Sequence, residues 1–241
     1  MKNVVLLGLS AALLTATAMC AEPEVGAAKT EKKAKPAAPK VKGVAHVRIL
    51  HAIVGAPAAD VFLDGKKVAE GATFKSLSAY MDVESGKTAI KLTAAGKTDT
   101  ILDGSATFMK DGYYTVAAYG TMDKALLTTQ NDNTGKEDTA KARIRAFHLA
   151  PGAPDVEITT PSTRAKDGTS NVFKKLAYGK DMTKAVAPGK ITLQVRADGK
   201  IIKEVPDVTL EAGKKYAIFA VGKVGGAGEQ AFDVLVKPAG K

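Results

Sequence analysis

Two ten-residue stretches constrain this chain more than any other feature: RILHAIVGAP at Arg48–Pro57 and RAFHLAPGAP at Arg145–Pro154. Each runs Arg, two apolar residues, His, and then a loop ending Gly-Ala-Pro. The echo continues outside them. Val47, Leu50 and His51 recur as Ile144, Phe147 and His148 at an offset of 97 residues. Gly86 and Gly96 recur as Gly189 and Gly199 at an offset of 103, and Tyr114 recurs as Tyr216 at 102. Anchors that keep their order while the offset drifts slightly mark a tandem duplication with small loop insertions. Whatever fold one copy adopts, the other must adopt as well.

Each copy reads as short strands separated by turn residues. Apolar and polar residues alternate in VRILH, DVFLD, IKLTA, ITLQV and YTVAAYG, the period of a strand. Asp64-Gly65 and Asp198-Gly199 sit between such runs, a strong hairpin signal. No stretch after Lys42 sustains a helical stripe. With about seven strands of ordinary length per copy, the expected fold is all-β: two tandem antiparallel β-sandwiches. The boundaries follow from composition. Residues 44–130 form the first sandwich, 131–141 a polar interdomain linker, and 142–238 the second sandwich.

The N-terminus predicts export. Lys2 is followed by an apolar run from Val4 to Leu14 and then by small residues, the order of a secretory signal. That run is well short of the ~20 residues a membrane-spanning helix needs, and no later segment is long and apolar enough to span. Residues 1–20 are therefore expected to be a signal peptide, and 21–43 a Lys/Ala/Pro-rich flexible tether. Cys20 is the single cysteine. It is the candidate lipidation site, although Thr17 and Met19 stand where a lipoprotein signal carries Leu and a small residue. The expected location is the periplasm, the cell envelope or the exterior.

The net charge of +10 raises the question of an anionic partner. Nucleic-acid readers use Arg forks and aromatic platforms. Here the cations are mostly Lys, aromatics are 5% and Trp is absent, which argues against nucleic acid. An envelope protein or an anionic polysaccharide fits better.

Strand parity places the repeated histidines. Val47, Ile49 and His51 share one face of the first strand, and Ile144, Ala146 and His148 share the matching face of the second copy. Both histidines point to the core, and Arg48 points to solvent. Asp60 and Asp155 lie just downstream. The expectation is that His51–Asp60 and His148–Asp155 each lock a loop. A metal site needs three or four converging ligands, whereas His46 has the opposite parity to His51. A Ser-His-Asp site needs an activated serine in a defined turn, and the mature chain has no G-x-S-x-G. NDNTGKED (Asn131–Asp138) lacks the order of a calcium loop. Gly225-Gly226-Ala227-Gly228 lacks the Lys-Ser/Thr pair of a phosphate loop. No catalytic, metal or cofactor residue is expected.

The stretch VRILHAIVGAPAADVFLDGKKV, with His51-Ala52, Ala56-Pro57, Asp60-Val61 and Asp64-Gly65, resembles the bacterial family known as domain of unknown function 4397. GYYTVAAYG (Gly112–Gly120) resembles its closing strand. The second copy keeps His148, Ala153-Pro154 and Asp155-Val156 but has TTPSTRAKDG where the first hairpin turn should be. The resemblance spans roughly residues 44–237. It implies exported envelope or surface proteins built of paired Ig-like sandwiches, and no known catalytic residue. A fainter similarity is to the periplasmic accessory protein of alginate O-acetylation. The expected function is thus a non-enzymatic role in binding, adhesion or envelope structure. The alternative is an accessory role in modifying or exporting an envelope polysaccharide.

Overall fold

A computed structural model describes residues 43–133, 138–164 and 168–240. The expected signal peptide, Cys20 and nearly all of the tether lie outside the described residues. The first copy contains β1 (Val44–Val54), β2 (Ala59–Leu63), β3 (Lys66–Ala72), β4 (Met81–Glu84), β5 (Gly86–Ala94), β6 (Thr100–Phe108), β7 (Tyr113–Thr121) and β8 (Lys124–Asn131). The second contains β9 (Ala142–His148), β10 (Val156–Pro161), β11 (Thr169–Leu176), β12 (Asp181–Val186), β13 (Gly189–Ala197), β14 (Lys200–Leu210), β15 (Lys215–Val221) and β16 (Asp233–Pro238).

The first sandwich has sheets β4-β1-β7-β8 and β3-β2-β5-β6. The second has β12-β9-β15-β16 and β11-β10-β13-β14. Adding eight to every strand number of one copy produces the other, so the topology is duplicated strand for strand. Among the described residues each copy has eight strands rather than seven, because the excursion after the first hairpin ends in an extra short strand on the opposite sheet. The first and seventh strands of each copy pair in parallel, β1 with β7 and β9 with β15. They are far apart in the chain, so no tight turn forces them antiparallel. The early hairpin of the second copy forms despite TTPSTRAKDG, with β10 paired to β11.

A tyrosine device recurs as well. The Tyr114 hydroxyl accepts the Met109 amide at 3.0 Å, and the Tyr216 hydroxyl accepts the Glu211 amide at 3.0 Å. Both bonds span five residues and pin the turn that leads into the seventh strand.

Each copy has its own core. Val47, Ile49, Ile53, Val61, Ile90, Leu92 and Val116 pack in the first, and Ile144, Ile158, Leu193, Val195 and Ile218 in the second. A third cluster joins the copies. Leu50, Ala52, Ala117 and Tyr119 from β1 and β7 meet Phe147, Ala217, Phe219 and Val221 from β9 and β15. Phe147 stacks on Phe219 at 4.9 Å, and Tyr119 lies edge-on to Tyr178 at 5.6 Å. Gly179 sits at φ +73°, where a Cβ would stand 3.1 Å from the Tyr119 hydroxyl, so both backbone and space require glycine there. The four central strands are therefore covered on both faces.

This seam corrects the placement of Arg48, which is only 4% exposed rather than turned to solvent. Its face of β1 is the one that meets the second copy. Arg48 Nε donates to Thr115 Oγ1 at 2.8 Å and Nη1 donates to the Pro238 carbonyl at 2.6 Å. Thr115 Oγ1 and the Tyr80 hydroxyl each donate to Asp132 Oδ2 at 2.6 Å. The Gly240 amide donates back to the Tyr80 hydroxyl at 3.0 Å. Arg48 Nε lies 3.6 Å from Asp132 Oδ2, with both side chains almost fully buried. Asp132 belongs to the segment expected as a polar linker, yet it is 6% exposed. Burial raises its carboxyl above the usual range, against the opposing pull of Thr115, Tyr80, Arg48 and Arg145.

Removing one partner of a buried ion pair leaves an uncompensated charge, which costs about 3–5 kcal/mol. Arg48→Met is expected to lower the unfolding free energy by about that amount in chemical denaturation. Adding Asp132→Leu should recover part of the loss. An unchanged denaturation midpoint for the single variant would exclude a role for the pair in joining the copies.

Candidate functional site

His148 ends β9, His51 lies within β1 three residues before its end, and both face inward, at 0% and 1% exposure. His51 Nε2 donates to the Pro57 carbonyl at 3.2 Å, and His51 Nδ1 accepts the Ile53 amide at 3.4 Å. His148 Nε2 donates to the Pro154 carbonyl at 3.0 Å. The partner lies six residues downstream in both cases, inside the Gly-Ala-Pro loop. An imidazole whose Nδ1 receives an amide proton is neutral and carries its own proton on Nε2. Burial lowers the pKa of both rings, opposed by the proline carbonyls and, for His148, by the charge of Asp155. The bonds the rings make are to carbonyls rather than to the expected carboxylates. His51 and His148 occupy separate sandwiches and share no site.

Asp60 has a different set of partners. Its Oδ1 accepts the Gly71 amide at 2.9 Å, and its Oδ2 accepts the Gly96 amide at 3.2 Å and the Lys67 ammonium at 2.7 Å. Asp60 lies on the outer side of the sheet β3-β2-β5-β6, whereas His51 lies on the inner side of β1. These three bonds, led by the Lys67 ammonium, pull the carboxyl down to about 2. The pairing register also shows that Asp155 is not the counterpart of Asp60. Asp60 stands opposite Thr93 and Val61 opposite Leu92; Glu157 stands opposite Arg196 and Ile158 opposite Val195. Glu157 occupies the Asp60 position, and Asp155 lies exposed two residues earlier.

The Asp60 carboxylate builds one wall of a groove. By holding Gly96 it fixes the turn that carries Lys97 and Thr98. The groove runs over the outer face of the sheet, has a volume of about 380 Å³, and is lined by Phe62, Lys91, Thr93, Lys97 and Asp103 with three smaller residues. Cross-strand register sets its floor: Lys67, Phe62, Lys91 and Asp103 stand in one row across four strands. Thr93 is 3% exposed, and its hydroxyl has no hydrogen-bond partner among the described residues. Lys91 and Asp103 face one another on the open surface without forming an ion pair. None of these lining residues is singled out by sequence motifs. Their one sequence signal is the alternation in DVFLD and IKLTA, which puts Phe62 and Lys91 on the outward parity.

The second copy offers a direct comparison. In its row, Thr159 stands opposite Gln194, and Gln194 opposite Glu204. Gln194 Nε2 donates to Glu204 Oε2 at 2.9 Å, and Thr159 is buried with its hydroxyl directed to the Gln194 carbonyl. The row is closed on itself there and open in the first copy. Among the described residues no group of three or more His, Cys, Asp or Glu side chains is arranged to hold a metal ion.

The fold and its repeat define a tandem Ig-like β-sandwich protein. Residues 45–159 match the family described as domain of unknown function, DUF4397. The matched stretch covers the first sandwich and continues into β10. No match was found among curated proteins. Solved structures resembling this chain include the C-terminal domain of AlgF from P. aeruginosa, 19% identical, covering 41% of this chain and 98% of that one, with a TM-score of 0.31. A candidate cell adhesion protein from Bacteroides ovatus is 11% identical over 83% of this chain and 98% of its own, with a TM-score of 0.26. The CBM26 module of Amy13K from Eubacterium rectale, solved with maltoheptaose, is 12% identical over 80% and 96%, with a TM-score of 0.24. Likenesses this distant carry no functional argument.

Two tests follow from the geometry. His51→Ala and His148→Ala should each cost about 1–3 kcal/mol through the lost bond and packing, or roughly 2–4 °C in Tm per kcal/mol. Because both folded pKa values are lowered, this stability is present above the ordinary histidine value near 6.5 and is lost as pH falls below it. Unchanged melting of either variant would show that its loop needs no lock. For Asp60 the window is lower. Its contribution is present above the ordinary 3.8 and lost as pH falls through about 2. Asp60→Asn should therefore melt lower at neutral pH and lose less further stability between those two values. A wild-type acid profile in this variant would assign the acid sensitivity to other groups.

Proposed function

We propose that this is an exported, non-enzymatic binding protein of the cell envelope, and that it engages its partner through the groove on the first sandwich. The observation that carries this reading is the contrast between equivalent rows of the two copies. Lys91 and Asp103 form no ion pair at the positions where the second copy pairs Gln194 with Glu204, and beside them the Phe62 ring lies under the Lys67 ammonium at 5.8 Å. A fold needs neither arrangement in particular, so the open row is available for something outside the chain.

A binding role also agrees with where the titratable groups lie. His51 and His148 hold loops from the inner faces, Asp60 ties the groove rim, and Asp132 sits in the seam. Catalysis by acid–base or nucleophilic chemistry calls for such groups at the mouth of a cavity, within reach of a reacting atom. The groove instead combines an aromatic surface with solvated cations. Export rests on the N-terminal pattern of Lys2 followed by Val4–Leu14.

The test is retention of the full-length protein on envelope fractions of the producing bacterium. Phe62→Ala combined with Lys91→Ala should abolish most of the retention, whereas Gln194→Ala in the second copy should leave it unchanged. Retention that survives the first pair of changes would place the binding surface elsewhere.

A further inference from the structure

We infer that the groove of the first sandwich takes a carboxylate-bearing sugar ring of an acidic polysaccharide. This assignment rests on the binding role proposed above and names its ligand class.

Three features point to it. The volume of about 380 Å³ lies at the small end of the ~300–1,000 Å³ typical of small-ligand sites, and the open surface lets a chain continue past both ends. Phe62 is half-buried and presents ring surface to the groove, a platform for the apolar C–H face of a pyranose. The ammonium groups of Lys91 and Lys97 are exposed and have no ion pair among the described residues. Lys67, at the end of the same row, is instead held by Asp60 and Glu70.

Asp103 sets the polarity of the site. Its carboxylate stands across from Lys91 in the β5–β6 register and is exposed. It accepts hydrogen bonds from neutral sugar hydroxyls and repels a second anion. The carboxylate of the ligand therefore lies toward Lys91 and Lys97, with hydroxyls toward Asp103. A dense polyanion such as nucleic acid meets this repulsion at every repeat. It would also find no arginine fork in the groove, the group best suited to bidentate phosphate recognition. A sugar with one charge per ring fits the mixed lining better.

The second copy shows that the arrangement is not imposed by the fold. At the Phe62, Lys91 and Asp103 positions it carries Thr159, Gln194 and Glu204. The Gln194 amide nitrogen donates to the Glu204 carboxylate, while Gln194 Oε1 is buried without a partner among the described residues, and at these three positions no cation or aromatic face is presented.

The experiment is calorimetric titration of full-length protein with a panel of uronic acid oligosaccharides and with the same oligosaccharides after reduction of their carboxyls to alcohols. The acidic series should bind and the reduced series should bind about ten-fold more weakly or worse, a difference of one decade in Kd. Phe62→Ala and Lys91→Met should each weaken binding by about the same factor, and Gln194→Ala should not. Binding should also fall as salt rises, because exposed charges are screened. Circular dichroism and melting curves establish that each variant is folded. Equal binding of the acidic and reduced series overturns the carboxylate assignment while leaving the groove as the binding surface. Uronate binding that survives both groove variants overturns the site. No binding in either series overturns the sugar assignment, and the envelope-retention measurement then decides the broader reading separately.

Discussion

The second face of β1 governs the rest of this structure. A strand in an ordinary two-layer sandwich buries one face and wets the other. In β1, Val47, Ile49 and Ile53 face the first core, while Arg48, Leu50 and Ala52 face the second copy. The same holds for β7, β9 and β15, so the two inner sheets pack outer face to outer face and the copies become one unit. Alanine at 52, 117 and 217 brings the sheets close, and Phe147 and Phe219 fill the space between them. At one end the apolar seam gives way to Arg48, Thr115, Asp132 and Tyr80, whose bonds reach the carbonyl of Pro238 and the amide of Gly240. Apolar packing alone tolerates sliding. A buried, directional cluster that binds backbone groups of the last strand and the residues beyond it specifies one register, the best-attested use of buried ion pairs.

Joining the inner sheets has a consequence for function. The sheets β3-β2-β5-β6 and β11-β10-β13-β14 are the ones not joined in the seam, and each keeps an outer face. Each sandwich keeps its own core and the seam joins them, so these outer faces are free to differ. They do differ. One carries Phe62 and unpaired lysines over a buried threonine hydroxyl; the other closes its row with Gln194 and Glu204. A surface that alters only outward-facing residues costs little in folding, since such positions lie outside the cores.

Much of the fold was legible because strand parity and turn chemistry are local. The alternation in VRILH placed His51 inward correctly, and the ordered glycine and tyrosine anchors announced two copies of one topology. What parity cannot reveal is what covers the other face. Arg48 was assigned to solvent because arginine rarely enters a core, yet Leu50 and Ala52 on its own face were already a sign of burial. Asp132 was hidden for a related reason: a polar stretch between repeats looks like a linker, and only the packed copies show that one of its carboxylates is enclosed. The histidine partners were misassigned because the choice between a carboxylate and a carbonyl depends on loop geometry. The groove was invisible since a row across four strands draws on residues from Phe62 to Asp103, with no spacing that a linear motif expresses.

The duplication also supplies a way to separate fold from function within a single chain. The imidazole-to-proline carbonyl bond occurs in both copies at the same six-residue spacing, and so does the tyrosine bond to an amide five residues before it. Features that both copies keep belong to the common topology of the two sandwiches. By the same reasoning the histidines, which first suggest an active-site pair, share one bonding arrangement in both copies, each ring meeting a proline carbonyl of its own loop. Features present in one copy need another explanation. The Asp60 carboxylate ties Gly71, Gly96 and Lys67 together, while Glu157 at the equivalent strand position remains half-buried and the second sandwich still folds. A three-way knot beneath the rim of the open row, absent where the row is closed, is what a rigid binding wall requires: its polar partners are ordered before any ligand arrives, so less ordering remains to be done on binding.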